Sequence, residues 1–287
     1  MLLGEVFKNI NNKYKNIYFK NIRFNSKECK PNDIFFAIQG NNSDGNKYIY
    51  DAINNGAKII VSGSKSQSLN KKKVLFIYNK NPRKMLSYIS SQFYKLKPNN
   101  IIAVTGTNGK TSIANFYHQI MSLNNKKVAS IGTLGVLSKK FNLETNNTTI
   151  DPVNIHKILQ KLKKLGVDNV IIEASSHGLK QHRMDNINFK TAIFTNLSRD
   201  HLDYHKTIKD YLNSKLILFN KLVNTKGNII FDNKIKETKK LEKISRKRKL
   251  KKYTFGSIKS FIRITNIQKF SNQCKIDCII NRKKYSF

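Results

Sequence analysis

The stretch IIAVTGTNGKTS, from Ile101 to Ser112, constrains this chain more than any other. A short apolar run of strand character enters a glycine-containing turn. Beyond it, Ile113, Phe116, Tyr117, Ile120 and Met121 recur at helical spacing, which predicts one apolar helix face. A strand that passes into a helix through such a turn aims backbone N–H groups and the positive helix end at one place, and phosphate oxygens suit it. Lys110 would reach terminal phosphates and the Thr111 hydroxyl would ligate Mg²⁺. The candidate nucleotide-binding residues are therefore Gly106, Thr107, Asn108, Gly109, Lys110, Thr111 and Ser112. The common phosphate-loop spacing has a glycine five residues before Gly109; Val104 stands there and Gly106 lies closer in. An ordinary Gly-Lys turn is the alternative reading.

Around that stretch, strands and helices alternate. KVASIG, NVIIEASS, TAIFTN and NIIF read as buried strands. Asp151-Pro152 is an N-cap followed by an N1 proline, opening a helix with Ile155, Ile158, Leu159, Leu162 and Leu165 that ends at Gly166. Thr207 with Asp210 reads as a capping box for a helix running to about Leu222. Such alternation predicts a mainly parallel sheet with helices on both faces. Before it, residues up to Lys97 read as a separate small α/β unit. Its strands are IFFAIQG, KIIVSG and VLFIYN, and its helices YIYDAINNGA and the one opened by Asn81-Pro82. The KLKPNN segment, 95–100, reads as a linker. The expected division is 1–97 and 98–287.

The 54 basic residues outnumber the 17 acidic by 37. A polyanion partner is one reading. The basic residues are spread along the whole chain, however, and the 37 asparagines rise with them, as AT-rich codons would produce. Composition drift is therefore preferred, and no nucleic-acid partner is expected. The one dense basic block is 236–252, with ten Lys/Arg against two acids, read as a solvated helix or loop. No apolar run approaches the ~20 residues that span a bilayer. The first residues lack a long apolar region with a cleavage site, so neither a membrane partner nor secretion is expected. Cys29, Cys274 and Cys278 are too few and scattered for a disulfide framework or a zinc site, which fits a reduced, cytoplasmic setting.

TGTNGKTS resembles the variant phosphate loop of the Mur ligase superfamily, whose members join an amino acid to a carboxylate at the expense of ATP. The long stretch from Ile171 to Phe219, IIEASSHGLKQHRMDNINFKTAIFTNLSRDHLDYHKTIKDYLNSKLILF, resembles the family that adds the third residue of the peptidoglycan stem peptide. The stretch KPNDIFFAIQGNNSDGNKYIYDAINNGAKIIV resembles that family's UDP-binding domain. The fold implied is α/β: a small N-terminal UDP-binding domain, then a P-loop-type mononucleotide-binding domain.

The resemblance also implies roles. ATP and Mg²⁺ are the cofactors. Lys110, His201 and Lys215 are the implied catalytic residues. Thr111, Glu173, His201 and a carbamylated Lys215 are the implied metal-holding set. The substrate contacts would be Phe24, Ser26, Asn41, Asn42, Ser43, Asn147, Thr148, Thr149, Ser175, Gln181 and Arg183. Asn25 and Lys27 depart from the Asp-Ser-Arg that usually flanks Ser26. The implied partners are UDP-N-acetylmuramoyl-dipeptide and a diamino acid, meso-diaminopimelate ahead of L-lysine, with the chain acting as a monomer. The family's later helical segment and its C-terminal ligase domain do not follow Phe287, so the middle domain is expected to be incomplete. The alternatives are a fragment that binds nucleotide or UDP-sugar without catalysis, a folylpolyglutamate- or cyanophycin-type ligase, and a nucleic-acid-binding protein.

Overall fold

The structure, a computed structural model, describes residues 1–40, 43–64, 74–145 and 147–287. Asn41 and Asn42 lie outside the described residues. The chain forms two compact units. The first holds Met1–Lys97, Asp151–Lys161 and Gln181–Asn186; the second holds Pro98–Ile150, Leu162–Lys180 and Ile187–Phe287. The first unit is thus discontinuous in sequence, which a division into consecutive stretches does not contain.

In the first unit, strands β1 (Ile22–Arg23), β2 (Ile34–Ala37), β3 (Ile59–Ser62) and β4 (Leu75–Tyr78) form a parallel sheet in the order β1-β2-β3-β4. Alternate side chains of one strand point to opposite faces, and both faces are covered. Ile34, Phe36, Ile59 and Val61 pack with Leu3 and Val6 of α1 (Leu3–Val6). Phe35, Ala37 and Ile60 pack with Ile49 and Ala52 of α2 (Ile49–Asn54). Helix α3 (Pro82–Phe93) joins the first face through Leu86 and Ile89, and Asn81 caps it, its Oδ1 accepting the Lys84 N–H at 3.0 Å.

The second unit is built on β5 (Asn100–Thr105), α4 (Lys110–Leu123), β6 (Val128–Gly132), β7 (Gly135–Ser138), β8 (Asn169–Glu173) and α6 (Ser176–Lys180); α5 (Pro152–Lys164), which precedes β8 in the chain, lies mostly in the first unit. There follow β9 (Phe189–Phe194), α7 (Leu202–His205), α8 (Ile208–Ile217), β10 (Val223–Asp232), α9 (Thr238–Arg248), β11 (Lys251–Gly256), β12 (Ile262–Lys269), β13 (Cys274–Ile280) and β14 (Lys283–Ser286). The sheet order is β14-β13-β12-β11-β10-β9-β5-β8-β6-β7. From β6 to β12 every neighbouring pair is parallel; β7, β13 and β14 add antiparallel edges. The chain leaves β5 toward β6 and later crosses to β9 on the other side. The carboxyl ends of β5, β8 and β9 therefore flank a switch point, where ligands gather in open parallel sheets.

The N-caps read from sequence are present, but the reciprocal half of the expected Thr207–Asp210 box is not: the Thr207 N–H donates to the His205 carbonyl and the Asp210 carboxylate pairs with Lys180. Asp151 Oδ1 accepts the Val153 and Asn154 N–H groups at 3.0 Å, and Thr207 Oγ1 accepts the Asp210 N–H at 3.0 Å. The expected face of α4 is buried only in part. Ala114 packs with Val104 and Ile171, with Ile113 and Tyr117 partly buried beside it, while Phe116 is 59% exposed and Ile120 is exposed. The loop fixes the rotation of α4, and the small Ala114 lets its backbone approach the sheet. The α8 pattern is helical to Ile217 and continues as a π-turn over Leu218–Leu222.

Candidate functional site

The loop after β5 is held from below by the loop after β9. Asn196 supplies its carbonyl to the Thr107 N–H at 3.0 Å and its Oδ1 to the Asn108 N–H at 3.0 Å. The Thr195 hydroxyl donates to the Asn108 carbonyl at 2.6 Å, and Thr107 Oγ1 accepts the Ser198 N–H at 3.0 Å. A Cβ at Gly106 would run into Thr195 Oγ1, so the two loops approach this closely only because residue 106 is glycine. Gly109 caps α4 in the left-handed region, φ 82°, with open space around it. The first turn of α4 starts directly after this glycine.

Glu173 ends β8 and is 1% exposed. Its Oε2 accepts from Thr111 Oγ1 at 2.8 Å and from Thr133 Oγ1 at 3.2 Å, and its Oε1 accepts the Thr133 N–H at 2.9 Å. Gly132 is required beneath it, since a Cβ there would collide with the carboxylate. The Thr133 hydroxyl also lies 3.1 Å from Thr148 Oγ1. Thr149 donates to the Glu173 carbonyl at 3.0 Å and accepts the Ser175 N–H at 3.0 Å. Five oxygen-bearing side chains, Thr111, Thr133, Thr148, Thr149 and Glu173, from four separate segments of the chain, therefore converge beside the phosphate-loop turn.

Two lysines meet at the Gly106 carbonyl of the turn. Lys110 Nζ donates to the carbonyls of Gly106 at 3.0 Å and Thr107 at 2.7 Å. Lys215 Nζ donates to the same Gly106 carbonyl at 2.7 Å and lies 4.2 Å from the Tyr211 ring centroid. Lys215 is 1% exposed. Burial, with the Lys110 charge adding to it, pushes the Lys215 amine down to about 7, against the pull of Asp200. Burial also lowers Lys110, opposed by Glu173 and Asp200. A cationic pair at this point suits an anion that would replace the carbonyls as partner.

His201 stands elsewhere in the loop after β9. It adopts φ 51° and ψ 34°, a left-handed backbone uncommon for a non-glycine residue. Its ring packs edge-on to His177 at 4.9 Å and to Tyr211 at 6.0 Å, and its Nε2 lies 3.5 Å from Asp200 Oδ2. The structure thus groups Thr111 with Glu173, and His201 with His177, Tyr211 and Asp200. Among the described residues, no cluster of three or more His, Cys, Asp or Glu is arranged to hold a metal.

The sequence-derived substrate residues divide between the units. Asn147, Thr148, Thr149 and Ser175 lie in the second. Phe24, Ser26, Ser43, Gln181 and Arg183 lie in the first. There Phe24 is exposed, Ser26 is buried, and the Ser43 carbonyl accepts the Gly40 N–H at 2.7 Å. Arg183 donates through Nε and a terminal nitrogen to Gln181 Oε1, at 3.1 and 2.8 Å. Ser112 is exposed on α4.

Sequence reasoning passed over Thr133, Thr195, Asn196 and Tyr211. Tyr211 OH lies 3.3 Å from Thr107 Oγ1. Thr133 and Asn196 each sit just past a strand carboxyl end. That position in a parallel sheet was the available signal, but it needs the strand order, which one sequence does not print.

The sequence and the fold have known counterparts. Residues 104–287 match the Mur ligase middle domain, and residues 18–94 match the Mur ligase family, catalytic domain. A UDP-N-acetylmuramoyl-L-alanyl-D-glutamate--2,6-diaminopimelate ligase of Rickettsia montanensis is 38% identical over 272 residues, covering 93% of this chain and 56% of the relative. A protein of the same name from Rhizobium meliloti (strain 1021) is 42% identical over 202 residues, covering 70% of this chain and 41% of the relative. A solved structure of a ligase with that name shares the fold with a TM-score of 0.85 at 23% identity, covering 100% of this chain and 59% of the other. The chain thus spans about half the length of the curated relatives it matches. With both stretches matched in order along one chain, and the middle-domain match alone covering more than half of it, the chain belongs to the Mur ligase family.

Proposed function

We propose that this chain carries the substrate- and nucleotide-binding parts of an ATP-dependent ligase of peptidoglycan synthesis. The ligase adds 2,6-diaminopimelate to UDP-N-acetylmuramoyl-L-alanyl-D-glutamate. Residues 1–97 hold the UDP end of the substrate and residues 98–287 hold ATP. The enzyme works as a monomer in the cytoplasm, where the free Cys29, Cys274 and Cys278 stay reduced. The observation that carries the reading is the convergence of Thr111, Thr133 and Thr148 around Glu173 beside the phosphate-loop turn, together with the meeting of Lys110 and Lys215 at the Gly106 carbonyl.

In the reaction a substrate carboxylate oxygen attacks the γ-phosphorus of ATP and ADP leaves. The amine of the incoming amino acid then attacks the acyl carbon, phosphate leaves, and the nitrogen gives up a proton. Two anions must meet in the first step, so positioning and charge neutralisation dominate. The N–H groups at the start of α4 cradle the phosphates. Lys110 turns from the Gly106 and Thr107 carbonyls to the transferring group. Thr148, Thr149 and Ser175 hold the muramoyl-peptide side. Gln181, Arg183, Phe24, Ser26 and Asn41 to Ser43 serve the rest of that substrate.

The donor set around Glu173, one carboxylate with two threonine hydroxyls, is hard oxygen and fits Mg²⁺. When bound there, Mg²⁺ supplies charge neutralisation for the phosphate oxygens. Lys215, half neutral near pH 7, can add CO₂ at Nζ with loss of a proton, which would turn a cation into an anionic oxygen ligand; His201 stands by as a further ligand.

The test is phosphate release from ATP. Release that requires both the UDP-substrate and diaminopimelate supports the reading, and preference for L-lysine corrects the amino acid. ATP-analogue binding without turnover, whatever is added, would leave a binding role only. No binding at all would remove the reading.

A further inference from the structure

The far end of the second unit's sheet has a surface that the ligase reading does not use. From residue 234 to 287 the chain holds 18 Lys and Arg against three acids, Glu237, Glu242 and Asp277. Helix α9 buries Leu241, Ile244 and Ser245 and turns Lys239, Lys240, Lys243, Arg246 and Lys247 outward. Glu242 is taken up by Lys252, at 2.6 Å. Arg248 is committed to the Phe219 and Val223 carbonyls. Among the described residues, no ion pair engages the outward basic side chains of α9.

A second feature lies at one end of this face. β10 and β11 are parallel, so the turn that leads to α9 and the loop after β11 share an edge of the sheet. Two hydrogen bonds join them: Asn233 Nδ2 to Ser257 Oγ at 2.6 Å and the Ser257 N–H to Asn233 Oδ1 at 3.1 Å. The loop presents Ile258, 73% exposed, and Phe261, 43% exposed, on either side of the exposed Lys259.

The geometry points to a docking surface for an anionic phospholipid bilayer, made by the outward face of α9 with Ile258 and Phe261. Basic residues held near such a surface are attracted by its negative potential, and apolar side chains beside them enter the headgroup–acyl boundary. Nucleic acid shares the charge but fits less well. An aliphatic Ile258 has no use against a phosphate backbone, and the Phe261 ring is set edge-on to Tyr253 at 5.1 Å rather than free to stack. The surface is peripheral, compatible with the lack of any helix, among the described residues, long and apolar enough to cross a membrane. It sets aside the expectation of no membrane partner, which rested on spanning segments and a leader.

The experiment is co-sedimentation of the full chain with phosphatidylglycerol–phosphatidylcholine vesicles, against pure phosphatidylcholine. Binding to the anionic vesicles alone, weakening as salt rises, is expected. The triple variant Lys239→Glu, Lys240→Glu, Lys243→Glu should bind at least about a hundredfold more weakly, the loss of three attractions of about 1 kcal/mol each before any repulsion by the new carboxylates. The matching Lys→Arg triple should bind as the parent does, which separates charge from folding. Ile258→Ser with Phe261→Ser should cost about tenfold.

Equal loss on reversing the exposed Lys126, Lys139 and Lys140 would assign the binding to average charge and overturn the proposal. So would equal binding to phosphatidylcholine, or no binding at all. Duplex DNA that displaces the vesicles and is itself lost in the α9 triple variant would make this a nucleic-acid surface instead.

Discussion

The middle and the far end of the ten-stranded sheet both carry lysines, and the two regions behave differently. β8 buries Val170, Ile171, Ile172 and Glu173, while β14 leaves all four of its residues exposed. At the middle, desolvation governs the ionisable groups: it pushes Lys215 down to about 7 and His205 down to about 4. At the far end Asp277 is also lowered, but there the cause is hydrogen bonding from Ser286 and Asn266. Removal from water changes what a lysine or histidine can do chemically. A solvated charge can only attract and be screened. The lysines of the middle are few and drawn out of water; those of the far end are many and present a field.

The largest test of this contrast is truncation in the middle. Ile171→Ala should cost about 3–4 kcal/mol in a denaturant titration, because the cavity lies between β5, β6 and α4 and cannot collapse. Glu173→Gln should cost about 1–3 kcal/mol of stability, since its amide cannot accept all three donors that now meet the carboxylate. It should also weaken Mg²⁺-dependent binding of an ATP analogue by at least about tenfold. Unchanged affinity by calorimetry would remove Glu173 from the site.

A smaller effect concerns pH. His205 is buried and takes its proton only near pH 4 when folded, against 6.5 in the unfolded chain. Its folded pKa is depressed, so the associated stability is full above 6.5 and is lost as pH falls toward 4. His205→Gln should therefore flatten acid unfolding across that window, read by circular dichroism. The smallest effect belongs to the far end: Ile267→Ala, exposed on β12, should change stability by no more than about 0.5 kcal/mol. A loss as large as that of Ile171→Ala would mean the far end is buried in solution.

Much of the architecture was legible because it is local. Asn81, Asp151 and Thr207 cap helices with their own side chains, and each cap needs only residues two or three positions away. The apolar runs IFFA, IIVS and NVIIE read as doubly buried strands for a similar reason: an unbroken apolar run suits a strand covered on both faces. The face of α4 was legible only in part. Phe116 and Ile120 have the helical spacing of a core stripe, yet the loop between Gly106 and Gly109 fixes the helix rotation and turns Ala114 inward. The unit boundaries were partly hidden too, since 151–161 and 181–186 pack with a unit that ends in sequence at Lys97.

By itself, the sequence determined the strand–turn–helix at Gly106 to Ser112, the parallel α/β class and the family resemblance, because those depend on the order and type of nearby residues. The tertiary structure decided which side chains meet. Thr133 reaches Glu173 only because β6 is laid beside β8, and Lys215 reaches the Gly106 carbonyl across 109 positions of chain. It also decided that Lys215 is an amine near neutrality while the lysines of α9 face water, since burial is a property of the packed molecule and not of the residue.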